Sequence, residues 1–598
     1  MFKKFFNLLH KLAYREQKSI GGAALEMILL TLLVKIFGTV KMSMISGRFG
    51  ASRAVDIFYA ANTIPEVLFN IIAMGSVSAA LVPVFTKVIV KEGEKSGISL
   101  LQAVLNYTVL LFSFFSLVLF IFAPQIVKLA LKINVGGVEK SFSEDDIFMT
   151  GLMMRLMLIS PIFLGVSAVV GAYLVVNRRF FITRVAPLLY NVGTIIGILI
   201  FVPLAKGSVI GLAFGVILSA FLHLISNIPV LVSLGFKFNL KAFSIKKEYA
   251  KDIFRLAIPR TISTAIGEIG GAIKNVIAFN LVEGSLAALN FAKVLFSMAV
   301  DVLGFTVVQA FFPQLSRLFF GKGSKEGIEF FKYGINQVIL LTLPVSVVLL
   351  VLRVPVVRMI YGLIGKGFTW EDTIMTSWAL LFWSILVVVD TLIAFVLRGF
   401  YALEDTKTPL YVSIISLCIS VPLVILFVNF FSNLNTFTLF QPYFEIGSKK
   451  LLSYFYKPAG SPVAIGGIGF ATLITDFIEL FILTILFNRK TKFIDKNLFL
   501  LVLKKLISSV LMGVSVYGCF RLLEEILNTQ RVFHLVIVLV SASIVGFSVF
   551  IAAEYLLGDR SIVTFYKAFK MFTEKGKNFL DKGITYLPFV SKDRVLTE

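Results

Sequence analysis

Four lysines and three carboxylates interrupt stretches that otherwise read as membrane-spanning: Lys35, Lys41, Asp56 and Glu66 early in the chain, and Glu268, Lys274 and Lys293 near its middle. A lone charge near the centre of a bilayer costs roughly 3 kcal/mol on insertion scales, so such residues face a protein interior or a watery cavity. Lysine ammonium groups are mobile point charges suited to hold a diphosphate or another anion. The carboxylates have two uses: pairing with those lysines while the site is empty, or binding a coupling cation. Gly38, Pro65 and the pair Gly270-Gly271 lie where helices can bend, and interrupted helices at membrane depth line cavities because unpaired backbone groups cannot face lipid. The expectation is a polar chamber, lined mainly by cations, inside a helical membrane protein.

No other chemistry competes with this. His10, His223 and His534 lie far apart without ligand spacing, so no metal site is expected, and Cys418 and Cys519 sit alone in apolar spans. No GxxxxGK[ST] loop for nucleotide phosphates occurs. The expectation is therefore a protein with no catalytic residues and no cofactor, not an enzyme, driven by an ion gradient, the membrane potential or its substrate's own gradient; which coupling cation it uses, if any, is not legible. Arg155 and Asp301 are further charges inside apolar sequence, whereas Asp390, Asp476 and Glu479 have no evident basic partner nearby and are set aside.

The elements that must position these residues follow from composition. Hydrophobic residues make up 58% of the 598, charged residues only 15%, and mean hydropathy is +0.92; this is a polytopic helical membrane protein. The net charge of +23 excludes nucleic acid as partner by its distribution, because Lys and Arg cluster in short loops between apolar runs. Runs long enough to cross a bilayer lie near 22–46, 55–86, 101–131, 148–175, 182–204, 208–235, 252–282, 286–314, 331–361, 375–402, 409–431, 463–488, 498–523 and 532–557. Alternate loops are basic, such as Arg178, Arg179 and Arg184, or acidic, such as Glu144, Asp145 and Asp146, which places both termini in the cytoplasm.

An internal repeat groups the spans. Ala80-Leu-Val-Pro83 ends the second span much as Ala310-Phe-Phe-Pro313 ends the eighth, and Gly211-Leu-Ala-Phe214 opens the sixth as Gly467-Ile-Gly-Phe470 opens the twelfth. Both matches join spans six apart, so the fold class is all-α: two six-helix lobes related by a pseudo-two-fold along the membrane normal, plus two extra C-terminal helices. The domains are a cytoplasmic amphipathic helix at 1–20, an N-lobe at 21–240, a C-lobe at 241–490 with an external insertion at 432–462, a helix pair at 491–557 and a basic amphipathic tail at 558–598. The tail's lysines and phenylalanines suit an anionic lipid surface.

A series of motifs, in order, resembles the MurJ/MviN family, the lipid II flippases of the MOP exporter superfamily. They include Phe49-Gly50-Ala51 with Asp56-Ile-Phe, Asn177-Arg178-Arg179-Phe180, Glu283-Gly284-Ser285, Phe312-Pro313-Gln314-Leu315-Ser316, Gly367-Phe368-Thr369-Trp370-Glu371-Asp372-Thr373 and, sharpest, Gly399 through Pro409, GFYALEDTKTP. The resemblance implies fourteen helices around a central cavity, a groove beside the last two helices for a polyprenyl tail, and alternating access that carries a diphosphate-linked glycan across the bacterial inner membrane. Membrane lipids and cell-wall synthesis proteins are the implied partners. Cationic family positions map onto Lys35 and Lys41, and the family's first-lobe aspartate onto Asp56. The departures are Met42 for an acidic residue, Phe69 and Asn70 for paired arginines, Met74 for a glutamate, and Lys293-Val294 for an Asp-Arg pair. Three other readings stay open here: a paralogue for another lipid-linked oligosaccharide, a MATE-type antiporter, which would need mainly acidic cavity residues, and a non-transporting scaffold of cell-envelope synthesis.

Overall fold

The computed structural model describes residues 20–74, 80–132, 142–319, 325–433, 463–527, 529 and 531–559. The expected N-terminal amphipathic helix, the insertion at 432–462 and the basic tail lie outside the described residues except at their edges. Among those described there is no strand. The first half contributes α1 (Ile20–Phe49), α2 (Arg53–Phe69), α3 (Val82–Glu92), α4 (Glu94–Leu131), α5 (Glu144–Met157), α6 (Ser160–Val176), α7 (Phe180–Ile196) and α8 (Ile210–Ser233). Then come α9 (Lys247–Phe279), α10 (Ser285–Ala299), α11 (Phe305–Phe319), α12 (Lys325–Val351), α13 (Arg353–Tyr361), α14 (Trp370–Ala402), α15 (Lys407–Asn433) and α16 (Ala464–Thr491), and finally α17 (Lys496–Ile526) and α18 (Val532–Leu556).

Thirteen helical segments among the described residues are long and apolar enough to cross a bilayer, α5–α6 and α10–α11 each counting as one. The run expected at 252–282 is not among them. It forms α9, which is long enough at 33 residues but carries Arg255, Arg260, Glu268 and Lys274, a composition for a helix that faces water or polar groups along much of its length. Two expected spans are also shorter than the sequence suggested. The second covers Arg53–Ala73, with α3 a separate helix after it, and the ninth ends at Val351, where a break at Leu352 starts the short α13.

Packing falls into two groups. In the first half α7 lies between α1 and α8, α6 packs on α4 and α8, and α5 on α2; in the second, α14 is central, touching α10, α11, α12 and α16, while α15 pairs with α16. With no hydrophobic drive between helices in lipid, small residues and interhelical hydrogen bonds hold them. Gly193 meets the backbone of Ser219, and Ser167, His223 and Asn227 bond one another between α6 and α8. The sequence repeat has a geometric counterpart. Beyond α2 and beyond α10 the helix widens into a π turn, at Asn70–Met74 and Val300–Gly304, irregularities of a kind often found at functional sites. The last pair, α17–α18, docks on α12 and α13 outside both groups.

Candidate functional site

The two groups meet most tightly at one end of the molecule. Asp56, fully buried on α2, accepts the Gly284 N–H at 2.7 Å and the Ala287 N–H at 2.8 Å. The first turn of a helix leaves its N–H groups unpaired and carries a partial positive charge, so a carboxylate from one half caps the first turn of α10 in the other. The Arg53 N–H donates to Glu283 at 3.0 Å. Gly284 adopts φ +83°, and a Cβ there would stand 2.0 Å from the Ala51 oxygen, so only glycine fits this approach. Beside it the backbone of α1 runs against the α13–α14 junction: the Gly367 N–H reaches the Gly47 oxygen at 3.0 Å, and the Ser43 and Ser46 hydroxyls donate to the Ile360 and Tyr361 carbonyls at 2.6 and 3.1 Å. Thr369 and Asp372 close a capping box at the start of α14, and Asp372 also accepts the Ala51 N–H.

Below this closure the remaining charges form a line between the groups. Lys41 stands 5.8 Å over the Tyr190 ring within the field of Glu66, which Asn62 holds at 3.3 Å. Glu268 of α9 lies beside Asn70 and in the fields of Glu66 and Lys293. Lys293 faces Lys274. Glu66 and Lys293 are exposed and Lys41, Glu268 and Lys274 half-buried, so the line borders open space. Five of the seven residues singled out from the sequence are thus brought together. Lys35 is apart from them, ion-paired with Asp301 in the π turn after α10, a second polar tie between the halves. Asp56 does not reach the space at all, because both its oxygens are committed to α10. Arg155, a weaker candidate, lies against the Phe120 ring and donates to the Phe120 carbonyl at 3.0 Å.

One expectation needs correcting outright. Asp390, Asp476 and Glu479 do have a basic partner: α9 packs on α15 and α16, which places Lys274 in the field of all three. A signal existed, since Asp476 and Glu479 are three residues apart on one helix face, but the partner helix could not be read from spacing. At the opposite end from the closure, Lys87 pairs with Glu248 and Asp252 at 2.7 and 2.6 Å, and Lys246 with Glu92 at 2.7 Å. These tie the start of α9 to α3, so α9 belongs to the first group at one end and borders the second at the other.

Comparison with known proteins gives this architecture its relatives. A lipid II flippase MurJ of Burkholderia cenocepacia is 26% identical over 392 residues, covering 64% of this chain and 73% of the relative. A probable lipid II flippase MurJ of Buchnera aphidicola subsp. Baizongia pistaciae is 22% identical over 419 residues, covering 69% and 79%. A solved lipid II flippase MurJ in an inward closed conformation superposes with a TM-score of 0.65 at 19% identity, covering 88% of this chain and 98% of that one. An inward-facing MATE transporter of the MOP superfamily superposes at 0.57 with 14% identity, covering 77% and 98%. At these identities the superpositions speak for the shared fold. The family model described as lipid II flippase MurJ matches residues 45–439, more than half of the 598 residues, and the chain belongs to that family.

Proposed function

We propose that this chain carries a polyprenyl-diphosphate-linked glycan, lipid II in the first instance, across the bacterial cytoplasmic membrane by alternating access, with both termini in the cytoplasm. It is a transporter and not an enzyme. The observation that supports this best is the line Lys41, Glu66, Glu268, Lys293 and Lys274 bordering open space between the two helix groups. Three ammonium groups there offer a diphosphate point charges that need no fixed fork geometry, which suits a headgroup that must also leave. Glu66 and Glu268 lie in the fields of Lys41 and Lys293 and offset part of their charge. On the proposed topology the closure built on Asp56 and Gly284 faces the outside, so the chamber opens inward.

The polyprenyl tail is assigned to the groove beside α17 and α18. Phe499, Leu503, Leu506, Val510 and Val514 form an exposed stripe along α17, with the helical spacing of one face. Cell-wall synthesis proteins are the proposed neighbours that deliver and consume the substrate. The test is complementation in bacteria depleted of their own flippase, paired with translocation of lipid II in vesicles. The wild-type chain restores growth; Lys41→Ala and Lys293→Ala fail to do so at unchanged membrane abundance. Growth and translocation unaffected in both variants would sink this site, and a wild-type chain that accumulates but neither complements nor translocates would favour the scaffold reading.

A further inference from the structure

The connection between the two helix groups is not a free loop. After α8 the chain crosses α4 as irregular backbone before α9 begins, and three polar side chains of α4 grip it on the way. Asn106, which is buried, donates to the Asn239 carbonyl at 2.9 Å and to the Ala242 carbonyl at 2.8 Å. Gln102 donates to the Lys237 carbonyl, and the Tyr107 hydroxyl to the Phe243 carbonyl at 3.1 Å. The Tyr107 and Phe243 rings also meet edge to face, 5.4 Å between centroids. At its far end Lys246 fastens the segment to Glu92 of α3. Non-helical backbone at membrane depth is tolerated only where protein groups satisfy it, and here side chains of a spanning helix do so.

The depth of this strap follows from α4. That helix begins with exposed Glu94 and Lys95, and its exposed face is apolar from Tyr107 through Leu110, Leu111 and Phe114. The strap crosses between Gln102 and Tyr107, at the border of the two. There Phe238 and Leu240 are 62% and 71% exposed, interleaved with the exposed Lys237 and Lys241. Residues 234–247 hold four lysines and no acid. Lys246 is paired with Glu92, whereas among the described residues no carboxylate lies within ion-pair distance of Lys237 or Lys241. Apolar side chains beside unpaired ammonium groups, held at the edge of the hydrocarbon, match an acyl chain beneath an anionic headgroup. We propose that residues 236–243 bind an anionic phospholipid of the inner leaflet, its phosphate on Lys237 and Lys241 and its chains against Phe238 and Leu240. The leaflet rests on the cytoplasmic orientation given above; the lipid chemistry does not. A zwitterionic lipid would gain only the apolar contacts.

Amide exchange tests the strap. The full chain is placed in nanodiscs of phosphatidylcholine with rising phosphatidylglycerol, and exchange in residues 236–246 is followed by mass spectrometry. In the wild type phosphatidylglycerol slows exchange there. Lys237→Gln and Lys241→Gln each move the half-point to about fivefold more phosphatidylglycerol, equivalent to about 1 kcal/mol. The double variant loses the response, while Lys570→Gln with Lys575→Gln in the basic tail keeps it. Exchange indifferent to phosphatidylglycerol in the wild type, or a response unchanged in the Lys237–Lys241 double variant, overturns the site. The leaflet is read separately, by an impermeant maleimide on Lys237→Cys in a Cys418→Ser, Cys519→Ser background. Labelling of inside-out vesicles alone supports the inner leaflet; labelling of right-side-out vesicles alone overturns the orientation, and with it the leaflet.

Discussion

The Asp56 carboxylate and the Gly284 N–H meet at 2.7 Å across the junction of the two helix groups, above the line of charges that runs between them. This bond and its companion to Ala287 cap a helix with a residue from the opposite half, so they exist only while that end is shut. The Asp56 carboxyl thus acts as a latch on this end, satisfying two donors at the start of α10 from the opposite half.

Asp56→Ala strands two donors at a buried helix start, a cost of about 1–3 kcal/mol borne only by the closed state. That shifts the closed-to-open ratio by about 5- to 150-fold. Spin labels placed at Arg48 and Lys366, both exposed beside the closure, report the change directly. The wild type gives a narrow short distance, and Asp56→Ala moves population to longer distances. An unaltered distribution in a folded variant rules out the latch.

How far the sequence reached depends on what kind of information each feature needed. Apolar length and loop charge are local properties, so the helical class and most spans were legible. α9 runs from the Lys87 end to the Gly284 closure, and its Arg260, Glu268 and Lys274 make it more polar than the other spans. Asp56 carries the same sequence signature as a cavity acid, because burial beside a helix start and burial beside a substrate require the same residue type. Its donors lie 228 residues away or more, and only the fold supplies that proximity. The Asp390, Asp476 and Glu479 cluster stayed hidden for the same reason in reverse: its counter-ion is on a helix that packs there from the other end of the half. The sharpest motif, GFYALEDTKTP, is legible as chemistry once seen. Asp405 accepts the N–H groups of Lys407 and Thr408 at 3.1 and 3.0 Å and the Thr408 hydroxyl at 2.6 Å, starting α15, and pairs with Lys490 of α16.

That last cluster carries a pH prediction. Burial alone would raise the Asp405 carboxyl, but the Lys490 and Thr408 donors outweigh it and hold it down at about 2. A group whose value is lower folded than unfolded stabilises the fold above its unfolded value, and this is lost as pH falls through the folded one. The Asp405 contribution, at most about 2 kcal/mol, is therefore intact at neutral pH and disappears between about pH 4 and pH 2. Asp495, held down by its hydrogen bond from Lys332, and Glu92, held down by Lys246 and Tyr249, fade in the acid range too. The informative quantity is thus the difference from Asp405→Asn. Thermal unfolding midpoints in detergent should differ most at neutral pH and converge toward pH 2; a constant gap across the range contradicts the assignment.

The helix pair outside the two groups is held by a different device. Lys505 of α17 and Glu554 of α18 are both fully buried, 3.2 Å apart, and Asp559 just beyond α18 reaches the same ammonium at 2.7 Å. A buried ion pair contributes little net stability against an apolar substitute, yet removing one partner leaves a charge uncompensated and costs about 3–5 kcal/mol. Lys505→Met leaves two carboxylates facing one another and should lower the thermal midpoint by several degrees. Adding Glu554→Gln to that variant removes one of the two stranded charges and the repulsion between them and should recover part of the loss, a coupling above about 1 kcal/mol in a double-mutant cycle. If the two changes simply add, or if Lys505→Met unfolds like the wild type, the triad is not what clamps α17 to α18. A clamp at this position ties α17 to the end of α18 through charge and not through apolar packing alone.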